Sequence, residues 1–275
     1  MPDTAAAVWA AVSGLSVGEA WLRRDEPKAP ETVAKYERAV EQLARGVPFA
    51  YAVGRAAFRT LDLAIDRRAL IPRPETEGLV DRVLALGLGG LAADIGTGCG
   101  CIALALATEG RFERIIAVEC STQAAALARE NLALVRPSPR TPIEIREGDL
   151  LAPLAGQRFR AIVANPPYLT EDEYDALAPS VRDFEPREAL VSGADGLDAT
   201  RALFAGAAAL LEPGGVLALE IDERRSDMVR ALAHQFEWAR IEVHDDLFGR
   251  PRYALATPGR GPGVDTPEGG VSDRR

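Results

Sequence analysis

The sequence predicts an α/β fold with a mostly parallel sheet, and three observations carry that reading. From residue 91 onward short apolar runs alternate with helical stretches, the pattern of successive strand–helix units. The run Phe159–Ala164 is enriched in β-formers and buried in character, as a central parallel strand would be. It is stopped by Asn165-Pro166-Pro167-Tyr168, where two prolines that lack an N–H force a stiff loop at the carboxyl edge of the sheet. Open α/β sheets bind ligands at that edge.

Composition narrows the class. The 275 residues are 47% hydrophobic and 27% charged, which suits one sizeable domain with a small additional one. A net charge of −9 argues against direct nucleic-acid binding and fits a basic partner or a small cationic ligand. The cysteines, Cys99, Cys101 and Cys120, form no C-x-x-C pair and sit in apolar sequence surroundings, so neither a disulfide framework nor a zinc site is expected. His234 and His244 lack ligand spacing, and no metal is expected. Asp3 near the start speaks against a signal peptide, and no run reaches a membrane span, so a cytoplasmic location is expected.

In chain order, Ala6–Val12, Val17–Arg24 and Glu31–Arg45 read as helices, the last with Val33, Tyr36, Val40 and Leu43 at helical spacing. Residues 1–48 therefore read as an N-terminal helical domain, or as a lid on the larger one, with too few apolar residues to fold alone. Residues 49–71 read as a linking β-hairpin. In it Leu61, Leu63 and Ile65 alternate with Asp62, Ala64 and Asp66, and Phe49–Phe58 supplies the partner strand. Residues 72–258 form the larger domain. Pro72 and Pro74 stiffen the entry to a helix whose first turn carries Glu75 and Glu77. Strands follow at Leu91–Ile95, Arg114–Val118, Pro142–Arg146, Phe159–Ala164 and Val216–Ile221, with a final pair around Ile241, Val243 and Tyr253–Thr257. Between them, Thr170–Val181 reads as a polar, mobile segment, Asp198–Leu211 and Glu223–Gln235 as helices, and Pro213-Gly214-Gly215 as a turn. Residues 259–275 read as disordered.

Four consecutive strand ends carry residues suited to a ligand. Gly96-Thr97-Gly98-Cys99-Gly100 is a glycine loop opening a helix, where backbone N–H groups can meet a ligand. It is neither a dinucleotide fingerprint nor a P-loop. Glu119, at the next strand end, is placed to accept two ribose hydroxyls. Asp149 can accept a hydrogen bond from an adenine amino group, with Leu150 packed on the ring. Beside this nucleoside site, the Asn165 side-chain oxygen and the Pro166 carbonyl form an acceptor pair for an NH2 group. Each feature alone has a plainer reading, as a turn, a cap or a helix start; together they point to a site.

With those residues in view, the chain resembles the HemK/PrmC-type protein-(glutamine-N5) methyltransferases over residues 45–257. The resemblance rests on Ile71-Pro72-Arg73-Pro74-Glu75-Thr76-Glu77, Asp94-Ile95-Gly96-Thr97-Gly98-Cys99-Gly100, Asn165-Pro166-Pro167-Tyr168, and Glu185-Pro186-Arg187 followed by Asp195-Gly196-Leu197. It implies a class I S-adenosylmethionine-dependent methyltransferase fold, Rossmann-like, with a seven-stranded sheet whose last strand is antiparallel, plus an N-terminal helical domain that meets a peptide-chain release factor. It implies S-adenosyl-L-methionine as cofactor, with Gly96, Thr97, Gly98, Cys99 and Gly100 at the methionine part, Glu119 at the ribose, and Asp149 and Leu150 flanking the adenine. Asn165, Pro166, Pro167 and Tyr168 would bind the substrate glutamine, with Asn165 also near the cofactor and Asn165 and Pro166 catalytic. The alternatives are an amino methyltransferase for DNA or RNA adenine or cytosine, a glutamine methyltransferase for another protein such as ribosomal protein L3, and a binding scaffold without turnover. The chain departs from the family pattern in Cys99, in Glu119 for Asp, in Arg59-Thr60 for a glycine-containing turn, and in the missing glycine of Glu220-Ile221-Asp222.

Overall fold

The computed structural model describes residues 4–136 and 139–259. The tail expected to be disordered lies, from residue 260 on, outside the described residues. Four helices come first: α1 (Thr4–Ser13), α2 (Val17–Leu22), α3 (Pro30–Ala44) and α4 (Phe49–Val53). Ser16 and Glu19 form a reciprocal capping box on α2, and Pro30 opens α3 where a helix needs no N–H. These helices bury little: Val8, Ala10, Ala20, Ala39 and Tyr51, with Trp9 tilted against Tyr36 at 5.7 Å between ring centroids.

The strand expected over Phe49–Phe58 is only half realised. Arg55–Phe58 forms β1 and pairs antiparallel with β2 (Leu61–Ala64), but Phe49–Val53 is the helix α4. Tyr51 anchors that helix by donating its hydroxyl to the Ala69 carbonyl at 2.6 Å, and Gly54, at φ 74°, ends it.

The remaining elements are α5 (Pro74–Ala85), β3 (Leu91–Ile95), α6 (Cys101–Glu109), β4 (Arg114–Glu119), α7 (Thr122–Leu134), β5 (Ile143–Glu147) and β6 (Phe159–Ala164). After them come α8 (Glu171–Asp175), α9 (Pro179–Arg182), α10 (Asp198–Ala207), β7 (Leu211–Glu220), α11 (Ser226–Gln235), β8 (Arg240–Asp245) and β9 (Pro251–Thr257). Seven strands join in the order β5-β4-β3-β6-β7-β9-β8, with β9 antiparallel to both its neighbours. Side chains alternate across this sheet as the strand period demands. Ala92, Ile115, Ala117, Ala161 and Val163 pack with Leu79, Ile102 and Leu127 of α5, α6 and α7, while Ala93, Ile116, Val118, Ile162 and Leu217 pack with Leu203 and Val229 of α10 and α11. Both faces are covered, which is why the central strands read as unbroken apolar runs.

The polar stretch Thr170–Val181 holds α8, opened by a capping box between Thr170 and Glu173, and the start of α9. Two expectations are corrected here. Pro213-Gly214-Gly215 lies inside β7 as an irregularity, the pairing with β6 breaking between Phe159 and Ala161 and resuming at Val216. Proline has no N–H for the ladder, and a Cβ on Gly215 would sit 2.9 Å from the Phe159 carbonyl oxygen. The helices near 198 and 223 are shorter than expected, with 3-10 turns at Ala208–Leu210 and Glu223–Arg225.

Candidate active site

Strand register builds the site. Ile95 stands opposite Val118 on one side and Ala164 on the other, Glu119 is opposite Glu147, and Ala164 is opposite Leu219. Gly96, Glu119, Gly148, Asn165 and Glu220 thus follow one another along the carboxyl edge. Between β3 and β6 the chain reverses its direction of travel across the sheet, which is where an open sheet has its crevice. A cavity of about 460 Å³ lies there.

That cavity brings together Gly96, Gly98, Glu119, Asp149, Leu150, Asn165, Pro166 and Pro167. Thr97, Cys99, Gly100 and Tyr168 are not on its wall. The Thr97 hydroxyl turns inward and donates to Asp94 Oδ2 at 2.6 Å, and Cys99 packs in the core. Gly100, at φ 88°, caps α6 in a left-handed conformation that suits glycine. Tyr168 is half-buried with its N–H on the Leu190 carbonyl; burial and the nearby Glu220 push its phenol up to about 12.

The carboxylate of Glu119 braces the glycine loop. Its Oε2 accepts the Gly98 N–H at 2.8 Å and its Oε1 the Ser121 N–H at 2.9 Å, and Oε2 keeps lone-pair capacity for a hydroxyl. Beneath the loop Asp94 is fully buried. Burial pushes its carboxyl up to about 7, against hydrogen bonds from Thr97 and from the Ala103 N–H at 3.0 Å, and its Oδ1 has no partner. Cys120 does not share the apolar surroundings of the other two cysteines: it is exposed on the cavity wall, with its thiol 3.5 Å from Glu119 Oε1. Leu150 holds φ 43°, a left-handed backbone rare for leucine, at the cavity edge.

The Asn165 amide has a defined facing. Its Nδ2 donates to Thr76 Oγ1 at 3.0 Å, and the Thr76 hydroxyl donates to Glu220 Oε2 at 2.7 Å; Thr76 and Glu220 are both buried. Asn165 Oδ1 and the Pro166 carbonyl meet no donor among the described residues.

Two further knots hold this geometry. Glu185 is buried and takes the Arg73 guanidinium at 2.6 Å and the Ile71 N–H at 3.3 Å, tying the stretch before α5 to the loop after α9. Arg225 donates to the Asp195 carbonyl at 2.8 Å and to Glu173 at 2.6 Å. Gly196, at φ 75°, fits beside it only because it has no Cβ, which would lie 2.5 Å from the Tyr168 carbonyl oxygen. Sequence reasoning did not place Pro186, Val191, Ser192 and Asp198 in the site, yet they line the cavity, as do Arg68 and Leu70. The clusters Glu185-Pro186-Arg187 and Asp195-Gly196-Leu197 were the available signal.

A family model described as the methyltransferase small domain matches residues 76–181. The release factor glutamine methyltransferase of Xylella fastidiosa strain 9a5c is 39% identical over 254 residues, covering 90% of each chain. That of Cereibacter sphaeroides is 41% identical over 86% of this chain and 83% of its own. The chain belongs to the release factor glutamine methyltransferase family. It is a methyltransferase. A crystal structure of a methyltransferase from Pyrococcus furiosus, at 19% identity, shares the fold with a TM-score of 0.55 over 81% of this chain and 96% of that one. The sheet is accordingly the class I methyltransferase sheet, with its final strand antiparallel. No helix among the described residues is long and apolar enough to cross a membrane.

The cavity suits S-adenosylmethionine, the cofactor of these enzymes. Gly96 and Gly98, at φ 69° and 56°, bring bare backbone to the wall. Glu119 offers carboxylate acceptors, Ile95, Val118 and Leu203 an apolar lining, and the unpartnered Asp94 oxygen lies under the loop. That donor set matches a cationic nucleoside and lacks any cluster fit for a metal among the described residues.

Proposed function

We propose that this enzyme methylates the side-chain nitrogen of a glutamine, the one in the Gly-Gly-Gln loop of a peptide-chain release factor. The observation that carries the reading is the facing of Asn165: its Nδ2 is engaged by Thr76, its Oδ1 meets no donor among the described residues, and Asn165 and Pro166 both line the cofactor cavity. When bound, S-adenosylmethionine supplies an electrophilic methyl group on a positively charged sulfur. Everything else falls to the chain. A carboxamide nitrogen is a poor nucleophile because its lone pair is shared with the carbonyl. Asn165 Oδ1 and the Pro166 carbonyl accept its two hydrogens, restrain its rotation and favour positive charge on nitrogen as the new bond forms. Alignment of this kind contributes on the order of 7–11 kcal/mol in the best cases, with fixed dipoles adding to it. The surplus proton leaves after transfer, so no strong base is needed in the pocket.

On this reading Gly96 and Gly98 hold the methionine part and Glu119 the ribose, Asp149 and Leu150 hold the adenine, and Pro167 and Tyr168 shape the glutamine's seat. Residues 1–48 meet the release factor, residues 49–71 link them to a catalytic domain over 72–258, and a substrate from translation termination puts the enzyme in the cytoplasm. The test is methylation of purified release factor, read by peptide mass spectrometry, beside a substrate whose loop glutamine is alanine and beside duplex DNA. One added methyl on the loop glutamine is expected. Methylated adenine or cytosine with an untouched release factor would overturn the reading.

A further inference from the structure

We propose that Thr76 and Glu220 are positioning residues for methyl transfer, a buried two-link relay that holds the Asn165 carboxamide with its oxygen toward the cavity. This rests on the reading of Asn165 as the group that grips the substrate amide. A carboxamide is nearly symmetric in shape, so only its hydrogen bonds decide which end faces where. A flipped Asn165 would show its NH2 to the substrate's NH2, donor against donor, and the grip would be lost.

Polarity runs one way along the relay. An ionised Glu220 can only accept, so the Thr76 proton must point to Glu220 Oε2, 2.7 Å away. Thr76 Oγ1 then has only lone pairs left for Asn165, and it takes the Nδ2–H at 3.0 Å. A protonated Glu220 donates instead. The Thr76 proton is freed to turn toward Asn165, and the flipped amide, oxygen inward, becomes the better match. Burial pushes the Glu220 carboxyl up to about 7, against the Thr76 hydrogen bond and the Arg252 charge, so the change of polarity falls in the working range of an enzyme.

The charged surroundings of Glu220 come from four elements. Arg252 on β9 and Arg73 just before α5 favour its ionised form, and Glu75 in the first turn of α5 opposes it. Tyr253, opposite it on β9, and Tyr168, after β6, have phenols pushed up to about 12 and stay neutral through that range. Asp222, two residues on, is pushed up by burial but held below its usual value by hydrogen bonds from Arg224, and stays ionised.

The test compares wild type, Thr76→Val, Thr76→Ser and Glu220→Gln at saturating cofactor and release factor, between about pH 6 and 9, with thermal unfolding checked for each. Thr76→Val is expected to lower kcat about 10- to 100-fold with cofactor affinity within about threefold, and Thr76→Ser, which keeps the hydroxyl, to recover most of the loss. Wild-type kcat should fall on the acid side with a midpoint near 7, and Glu220→Gln should lower kcat and abolish that limb. A second readout needs no substrate. The Asn165 side-chain NH2 resonances in 15N-labelled protein, identified by their loss in Asn165→Ala, should titrate with the same midpoint in wild type and lie flat in Glu220→Gln. Turnover by Thr76→Val at the wild-type rate, an acid limb that survives in Glu220→Gln, or NH2 resonances indifferent to pH would each overturn the relay. Because the resonances report on the relay without release factor, a wrong substrate and a wrong relay give different results.

Discussion

Asn165 sits where two demands meet, since its amide nitrogen is tied to Thr76 while the residue itself lines the cavity. Replacing it removes an acceptor for the substrate but no wall of the nucleoside pocket, which Glu119, Asp149 and Leu150 still form. Asn165→Ala is therefore expected to lower kcat by at least about 10²-fold while cofactor affinity by calorimetry changes little. Lost cofactor affinity with an unchanged rate at saturation would refute that division of labour. At this scale the sequence was a partial guide. Asn165 and Pro166 stood out because a double proline after an apolar run can only be a rigid strand exit. Thr76 stood out only as part of the Ile71–Glu77 run, and Glu220 only as a residue of the Val216–Ile221 strand. Their link to Asn165 spans 89 and then 144 residues of chain, and only the packing of α5 on the sheet brings them together.

At the level of elements, the β1–β2 turn shows how a departure from the family pattern is accommodated. Arg59 holds φ 54°, a conformation that costs a non-glycine residue about 1–2 kcal/mol. The guanidinium compensates: it meets Glu109 at 2.7 Å and Asp81 at 2.8 Å, while the Arg59 N–H reaches Glu77 Oε1 at 2.8 Å. The side chain is largely buried, so these contacts are worth more than exposed ion pairs. Arg59→Ala keeps the strained backbone without the anchors and should cost about 2 kcal/mol in urea unfolding, whereas Arg59→Gly should be roughly 1 kcal/mol less damaging. Equal losses in the two variants would show that the turn stores no strain. The same hairpin shows where pattern reading stops. Alternation at Leu61, Leu63 and Ile65 fixed β2, but Phe49–Val53 lacks such alternation, and its helix depends on the Tyr51 bond to Ala69 eighteen residues away. Leu91–Ile95 and Phe159–Ala164 were legible with their bounds because burial on both faces makes them almost wholly apolar, whereas β7 starts at Leu211, ahead of the expected Val216. Short α8 and α9 were not legible; α8 is held by its capping box and by Arg225 from a distant part of the chain.

Across the whole molecule the carboxyls divide into two groups with opposite consequences for pH. Glu173, Asp195 and Asp222 are pushed up by burial but pulled further down by hydrogen bonds from backbone N–H groups and arginines, so each is held below its ordinary value. Their contribution to stability is present above about pH 4 and lost as pH falls through their folded values. Asp94 and Glu220 are raised by burial to about 7. In the fold they keep a proton that the unfolded chain gives up near 4, so their contribution is complete below that point and is lost as pH rises through about 7. The net charge of −9 adds self-repulsion in the same alkaline direction. The thermal midpoint is therefore expected to peak near pH 5, at roughly the foot of both titrations, and to decline toward pH 8. A midpoint that rises steadily to pH 8 in a calorimetric series would show that these two carboxyls ionise as freely in the fold as outside it. Turnover should move the other way, because the Asn165 relay requires an ionised Glu220. Glu220→Gln, which removes the buried titration, is accordingly expected to raise the midpoint at pH 8 while lowering kcat, whereas loss of a purely structural group would lower the midpoint as well.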